Sequence, residues 1–403
     1  MASAAPAVAP RAPSRRRRSA AAALGWTLFA LLDVPVLLVV AAGLAAAYLP
    51  PGPFWWAQLV STALPYAVWA LAGLAALPLA RRRWGLAALH LVLVGAVAVR
   101  ALPPGRFSDP VAAGPELALT TFNVPQVGPS REALGDSVVA FVGRARPDVL
   151  ALQDAWVYGP RRRERGGEAV QVESVRERLG YTLALPARLA GHAGWRENGT
   201  GVPVLVRGGA PVEVLEQEAL VIADRDADGS LALRTHLRWD GRELVLYNLH
   251  LRSFGEAKPW DDEAFGWAQP RTWLPYLRRY REAYARRGDE VAEIAARIDT
   301  EALPVVVAGD LNSTADNWTY RRLRRAGLDV GPLDGGRLDA YREGAGLSWG
   351  RTYHAERPLV RIDFVLVDPA LEVVSAETRP VRFSDHRPVS VRLRWREEPP
   401  APE

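Results

Sequence analysis

A chain of 403 residues, 49% of them apolar, is long enough for one large folded domain or two ordinary ones. It holds no cysteine, which excludes disulfides, thiolate metal sites and cysteine nucleophiles. The net charge of +5 is unevenly placed: residues 1–107 carry ten arginines against one acid, Asp33, so the remainder is mildly acidic and poorly suited to holding nucleic acid by bulk charge.

A basic N-terminus (residues 1–23) leads into three apolar runs, Leu24–Leu49, Trp55–Ala80 and Trp84–Leu102. A helix needs about 20 apolar residues to cross a bilayer, and each run meets or approaches that length. A cleaved signal peptide would account for the first run alone, so residues 24–102 read as a three-helix transmembrane anchor. Arg11 and Arg15–Arg18 precede the first run, Arg81–Arg83 separate the second from the third, and the turn Pro50–Pro53 is uncharged. The positive-inside rule then puts the N-terminus in the cytoplasm and everything after Leu102 outside it. The expected location is therefore the cell membrane, multi-pass, with the folded domain extracytoplasmic. Asp33 and His90 interrupt the apolar runs at depths of about 14 and 9 Å, close enough to hydrogen-bond, and read as a clasp between helices. Residues 103–115 read as a linker rich in Pro, Gly and Ala.

From residue 116 to 395 strands and helices alternate. Strand patterns cover Glu116–Val124, Asp148–Leu152, Val202–Arg207, Val212–Leu220, Leu231–Trp239, Glu243–Leu251, Pro304–Ala308, Arg361–Val367 and Val389–Trp395. Helical spacing covers Arg131–Arg144, Glu168–Leu179 and Trp273–Ile298, and residues 396–403 form a tail. The alternation argues a layered α/β sandwich.

Polar residues gather at the strand ends. Asn123 follows ALTTF, Asp154 follows DVLALQ, and Asn248 and His250 lie in YNLHL. Asp310 and Asn312 lie in VVVAGDLNST, Asp363 in RIDFVLV, and Asp385 and His386 in SDHRPVSV. Converging carboxylates, amides and imidazoles can hold a hard divalent cation and a phosphate together. Each motif alone is weak, because Asp-Asn pairs after strands are often turns. In this order the set resembles the endonuclease/exonuclease/phosphatase family. That resemblance extends to the Gly-rich strand Gly199–Arg207 and to Thr352 ahead of RIDF.

The resemblance implies a DNase I-like, two-sheet α/β sandwich with its active site at one edge, using Mg²⁺ or Mn²⁺. By position, it implies that Asp154 and Asp385 bind metal with Asn123 alongside, and that Asp310 and Asn312 orient water and the scissile phosphate. It also implies that Asp363 orients His386 and that His250 contacts a phosphate oxygen or the leaving group. Whether Asp310 or the His386–Asp363 pair takes the water proton stays open. The family usually carries Glu where this chain has Asp154, one methylene shorter, and Mg²⁺ demands close octahedral contacts.

Other features read more plainly. Asp224, Asp226, Asp228 and Gly229 are spaced like the start of a calcium loop, but Thr235 stands where a bidentate Glu is required, so Ala223–Gly229 reads as a hairpin turn. Trp273, Tyr276, Leu277, Tyr280 and Tyr284 form a stripe that reads as the buried face of an amphipathic helix, with a membrane-surface helix as the alternative. His192, His236 and His354 match no motif. Three functions remain open at this point. One is a hydrolase of phosphate mono- or diesters or pyrophosphates outside the cell, its tether favouring lipid-linked phosphate; three N-terminal helices before an external domain also resemble the architecture, though not thereby the substrate, of the family's membrane-bound teicoplanin-resistance proteins. The second is an extracellular DNA or RNA nuclease. The third is a non-catalytic binding domain, for which Asp154 is the sole support.

Overall fold

Period-2 burial builds the folded part. In strand β2 (Val149–Gln153) Val149 and Ala151 face one way and Leu150 and Leu152 the other, and all are buried. In β8 (Arg242–His250) Leu244 and Leu246 face inward, while Val245, Tyr247 and Leu249 face outward. Strands buried on both faces must be covered on both, and the computed structural model shows a four-layer arrangement. It describes residues 15–101, 114–124, 130–157, 169–183, 188–189, 200–222, 231–255, 266, 268–330, 336–344 and 350–397.

The first sheet also contains β1 (Leu117–Asn123), β3 (Tyr181–Leu183), β5 (Val204–Arg207), β12 (Leu371–Thr378) and β13 (Val389–Trp395), in the order β12-β13-β1-β2-β5-β3. The second also contains β4 (Arg188–Leu189), β6 (Val212–Val221), β7 (Leu231–Trp239), β9 (Val305–Asp310), β10 (Leu338–Asp339) and β11 (Asp363–Val367), in the order β10-β11-β9-β8-β7-β6-β4. Their inner faces share a core that includes Leu119, Val149, Leu246, Val306, Val365 and Val391. Helices α5 (Arg131–Ala145) and α6 (Val170–Leu179) cover the first sheet through Phe141, Val142 and Val172. Helices α7 (Pro270–Ile298) and α8 (Trp318–Arg325) cover the second through Val291, Ile294 and Leu323. A one-turn helix, α9 (Ala340–Gly344), follows β10. This is the expected sandwich.

The stripe on α7 is its buried face: Tyr276 and Tyr284 are buried. The segment with calcium-loop spacing and His192 lie outside the described residues. The strands flanking that segment pair antiparallel, with Val221 opposite Leu231, as a hairpin requires. His236 pairs with Glu243 at 2.9 Å on the sheet surface, and His354 is exposed.

The membrane expectation needs correction in its detail. Helix α1 (Arg15–Ala45) runs into a 3₁₀ turn at Ala46–Tyr48, and among the described residues Ala23–Tyr48 is the one helix long and apolar enough to span a bilayer by itself. The second run breaks into α2 (Trp55–Thr62) and α3 (Leu64–Ala80), bent by 71°. Pro65, in the first turn of α3, disfavours helix in the residue before it and lacks the N–H that would continue the ladder of α2. The third run forms α4 (Trp84–Ala101), whose apolar stretch Trp84–Arg100 is about 25 Å long at 1.5 Å per residue, short of a full hydrocarbon core. Among the described residues, length and composition thus give one candidate span, or two if the bent pair counts as one, and not the three expected.

The helices nevertheless run up, down and up. Arg83 lies over the Trp26 ring at 5.7 Å, beside the start of α1, and Arg100 donates to the Leu44 carbonyl at 3.2 Å near its end. The Asp33–His90 clasp forms: Nε2 lies 2.7 Å from Oδ1, both residues are buried, and His90 Nδ1 meets the Leu86 carbonyl at 2.8 Å.

Candidate active site

Register brings the motifs together. In the second sheet β8 and β11 flank β9, and His250 and Asp363 both lie directly opposite Asp310. Three residues far apart in sequence therefore share one rung at one edge of the sheet. The Gly309-Asp310 step depends on glycine: Gly309 has φ 133°, and a Cβ there would stand 2.0 Å from the Leu249 carbonyl oxygen. Only a residue without a side chain lets β9 lie against β8 and carry Asp310 to the rung.

The first sheet delivers the others. Asn123, the last residue of β1, donates from Nδ2 to Asp310 Oδ2 at 3.0 Å. Its carbonyl accepts from Ser384 Oγ at 2.8 Å, and Ser384 Oγ accepts from His386 N at 3.0 Å, which anchors the Ser384–His386 turn. His386 Nδ1 then meets Asp363 Oδ2 at 3.0 Å, leaving Nε2 3.7 Å from Asp310 Oδ2. His250 closes the group, with Nε2 3.7 Å from Asp310 and Nδ1 3.3 Å from Asp154. Asn312 donates from its backbone N to Asp310 Oδ1 at 2.8 Å and from Nδ2 to the Leu251 carbonyl at 2.8 Å. Asn312 and Asp154 both hold left-handed backbone, at φ 46° and 55°, a geometry Asn and Asp tolerate better than most residues.

The predicted site residues thus converge, with one at the margin. Asn123, Asp310, Asp363 and His386 are buried, while Asp154, His250 and Asn312 face the mouth half-exposed. Asp385 is half-buried. Its carboxylate acts on His386 through charge and makes no side-chain hydrogen bond among the described residues, while its carbonyl accepts from Ala355 N at 2.7 Å. Among the described residues Asp310, Asp363 and His386 form a group whose ligand atoms all lie within 4.8 Å of one another.

The electrostatics follow from crowding. Burial opposes protonation of His386, but the charges of Asp363 and Asp310 and the Asp363 hydrogen bond outweigh it and lift its pKa to about 10. Burial opposes protonation of His250 too, and Asp154 and Asp310 lift it to about 9. Asp310 is itself raised, by burial first and then by Asp363, against the pull of the two imidazoles. Burial would also raise Asp154, but His250 prevails and lowers it.

A cleft of about 510 Å³ opens from Asp154 and His250 along Trp156, Arg252 and Phe254 to α7, which presents Arg279, Glu282 and Arg286. Two residues support the site in ways the sequence did not show, one named there only as part of a motif and one not at all. Asn248 sits beneath the site: it accepts from Gln153 Nε2 at 2.6 Å and donates to the Leu152 and Val202 carbonyls, which pins the sheets together. Arg287, fully buried in α7, donates to the Asn312 carbonyl and to Ser313 Oγ and lies between the Phe254 and Tyr284 rings, 4.4 Å from each. The only available signal for Arg287 was an arginine on the buried side of an amphipathic helix.

Residues 120–386 match the model of the Endonuclease/Exonuclease/phosphatase family. The chain belongs to this family. Its members are phosphoester hydrolases and nucleases that generally use divalent metals. No curated protein matches the chain. Several solved structures are similar to it. The endonuclease/exonuclease/phosphatase from Bacteroides vulgatus is 20% identical over 70% of this chain and 100% of that one, with a TM-score of 0.43. The human Nocturnin catalytic domain with bound sulfate is 18% identical over 73% and 100%, at 0.46. A Bacteroides thetaiotaomicron mannosyl-6-phosphatase is 16% identical over 69% and 100%, at 0.42.

Proposed function

We propose that the chain is a divalent-metal-dependent phosphoester hydrolase working at the outer face of the membrane that holds it. The observation that carries this reading is the single rung of His250, Asp310 and Asp363, onto which the other sheet brings Asn123 and His386.

The donor set fits a hard dication. Four carboxylates, Asp154, Asp310, Asp363 and Asp385, act on two imidazoles, so negative charge remains even when both imidazoles are protonated. Asp154, Asn123 and Asp385 would hold Mg²⁺ or Mn²⁺, and a bound ion would neutralise phosphate charge as a Lewis acid. Asp154 reaches His250 in spite of its shorter side chain, which weakens the non-catalytic alternative.

Asp310 is oriented by Asn123 and Asn312 and lies within 3.7 Å of both imidazoles, which suits it to take the proton of an attacking water. Asp363 occupies His386 Nδ1, so Nε2 is the atom offered to a phosphate oxygen. His250 stands at the cleft side, where the leaving group would lie.

The membrane reading draws on exposure and charge. Helix α1 leaves Leu28, Leu31, Leu32 and Leu38 more than half exposed, a face suited to lipid and not to water. The arginine-bearing turn Arg81–Arg83 lies at the end of the bundle where α1 starts, and the opposite end meets the sandwich, as an extracytoplasmic orientation requires. A nuclease is the second reading, favoured by Arg252, Arg279 and Arg286 along the cleft.

The test is a panel of phosphate mono- and diesters, pyrophosphates, DNA and RNA, with full-length protein and Mg²⁺ or Mn²⁺. We expect hydrolysis that chelation abolishes and either ion restores, and Asp310→Asn should lose about 10²–10⁴ in rate. Undiminished activity in excess chelator would remove the metal role, and no hydrolysis of any member would remove the catalytic one.

A further inference from the structure

The helical bundle meets the sandwich at the edge that carries the candidate active site. Three segments of the sandwich make the contact, and each also holds or touches a site residue. The loop after β9, which carries Asn312, sends Asn317 Nδ2 to the Gln58 carbonyl at 3.0 Å and to Ser61 Oγ at 2.8 Å. Trp318 N donates to Gln58 Oε1 at 3.0 Å, and Arg100 reaches Asp316 at 3.5 Å. The loop through Tyr353, whose ring lies 5.0 Å from that of His386, turns at Leu359, whose carbonyl accepts from Tyr66 of α3 at 2.7 Å. Helix α7 is shared between the two sides. Arg279, Glu282, Ala283 and Arg286 recur at helical spacing and line the cleft. On the adjoining face Tyr284 meets Thr62 Oγ1 at 3.2 Å, and a Cβ on Gly288 would stand 2.6 Å from Pro51.

These contacts bury polar groups on both sides, and Asn317 Nδ2 and Gln58 Oε1 find their partners only across the junction. Gln58, Ser61 and Asn317 are each almost fully buried, and their hydrogen bonds cross the junction. The mouth is therefore fixed next to the end of the bundle opposite the Arg81–Arg83 turn. Leu359, an apolar residue 62% exposed, stands there beside the first turn of α3. Arg252, Arg279 and Arg286 line the cleft on this side, cations suited to phosphate.

Resting on the hydrolase reading above, we infer that the substrate class is a phosphate or pyrophosphate ester of a membrane lipid, whose headgroup enters the cleft between α7 and the His250 rung while its chain stays in the bilayer. The docked junction of α2 and α3 with Asn317 and Leu359 sets the height and tilt at which the cleft meets the headgroups.

The experiment uses full-length protein in phosphatidylcholine vesicles. One arm offers long-chain phosphatidic acid or a polyprenyl pyrophosphate within the bilayer. A second offers short-chain phosphatidic acid dissolved as monomer, and a third bis-p-nitrophenyl phosphate and an oligonucleotide in water. The membrane-held ester should be favoured over its soluble counterpart by about 10²-fold in kcat/KM, the scale that tethering provides. Gln58→Leu with Tyr66→Phe should reduce that preference to near unity and leave the soluble diester rate unchanged. Thr62→Val with Tyr66→Phe reads the same coupling if the first pair lowers the yield of folded protein. Equal rates on long- and short-chain esters, preference for the oligonucleotide, or parallel losses in every arm would each overturn the inference while leaving the hydrolase standing. Absence of hydrolysis in all arms would overturn the hydrolase and this inference with it.

Discussion

His386 Nδ1 lies at hydrogen-bond distance from both carboxylate oxygens of Asp363, 3.1 and 3.0 Å. Groups that act as a unit lose activity non-additively. We expect His386→Ala to lower kcat/KM by about 10²–10⁴, the worth of positioned acid–base chemistry, and Asp363→Ala to lose somewhat less. The double variant should be little worse than His386→Ala, and multiplicative losses would show that the two residues work independently. Arg287 acts one step further out. It touches no reacting atom and holds the Asn312 carbonyl from behind while packed between two rings. Lysine keeps the charge but loses the planar guanidinium that packs between the Phe254 and Tyr284 rings and aims Nη1 at both Asn312 and Ser313. Arg287→Lys should therefore reduce kcat by about 10²-fold through misplacement of Asn312, with KM changed far less. Equal effects on kcat and KM would argue against a positioning role.

At the scale of elements, β10 and β11 depend on a buried ion pair. Arg361 meets both carboxylate oxygens of Asp339, and Tyr320 donates to Asp339 at 2.7 Å. Burial opposes ionisation of Asp339, but the Arg361 guanidinium and these hydrogen bonds prevail and hold its pKa below the ordinary carboxylate value. Because the folded value is the lower one, the stabilisation is complete above the unfolded pKa of about 3.9 and fades as pH falls below it. Asp339→Asn leaves a buried guanidinium uncompensated and should cost about 3–5 kcal/mol near neutral pH, with the deficit shrinking in acid. A loss that stayed constant from pH 7 to pH 3 would contradict the ionic account. The same region marks the limit of sequence reading. Strands β1, β2, β7, β8, β9 and β13 were legible because each is a long apolar or alternating run. Strands β3, β4 and β10 are two or three residues long, and α8 holds its place through Tyr320 and Leu323 amid four arginines, too few apolar positions to set a period. Strand β12 did alternate, with Leu371 and Val373 buried, and could have been found. The residues that converge at the candidate site were legible as strand-end motifs, whereas Asn248 and Arg287 were not recognisable as supports. Their roles arise from sheet-to-sheet and helix-to-loop contacts that no local spacing encodes.

At the scale of the whole molecule, topology decides which phosphates the cleft can reach. Charge supplies the orientation: Arg15–Arg18 and Arg81–Arg83 belong to one end of the bundle, and the sandwich docks on the other. The break at Ala63 and the short α4 leave the number of crossings as the feature to measure, because losing one crossing would put the sandwich on the cytoplasmic side. The absence of cysteine makes that measurement direct, since any introduced thiol is the sole target of a maleimide. Ala296, exposed near the end of α7, reports the sandwich, and Ala80, exposed at the arginine turn, reports the opposite end. In intact cells a membrane-impermeant maleimide should label Ala296→Cys and spare Ala80→Cys, which should react only after permeabilisation. Labelling of Ala80→Cys alone would invert the orientation. Labelling of both in intact cells would place α3 and α4 on the outer surface without crossing, leaving α1 as the single anchor and the active site still outside.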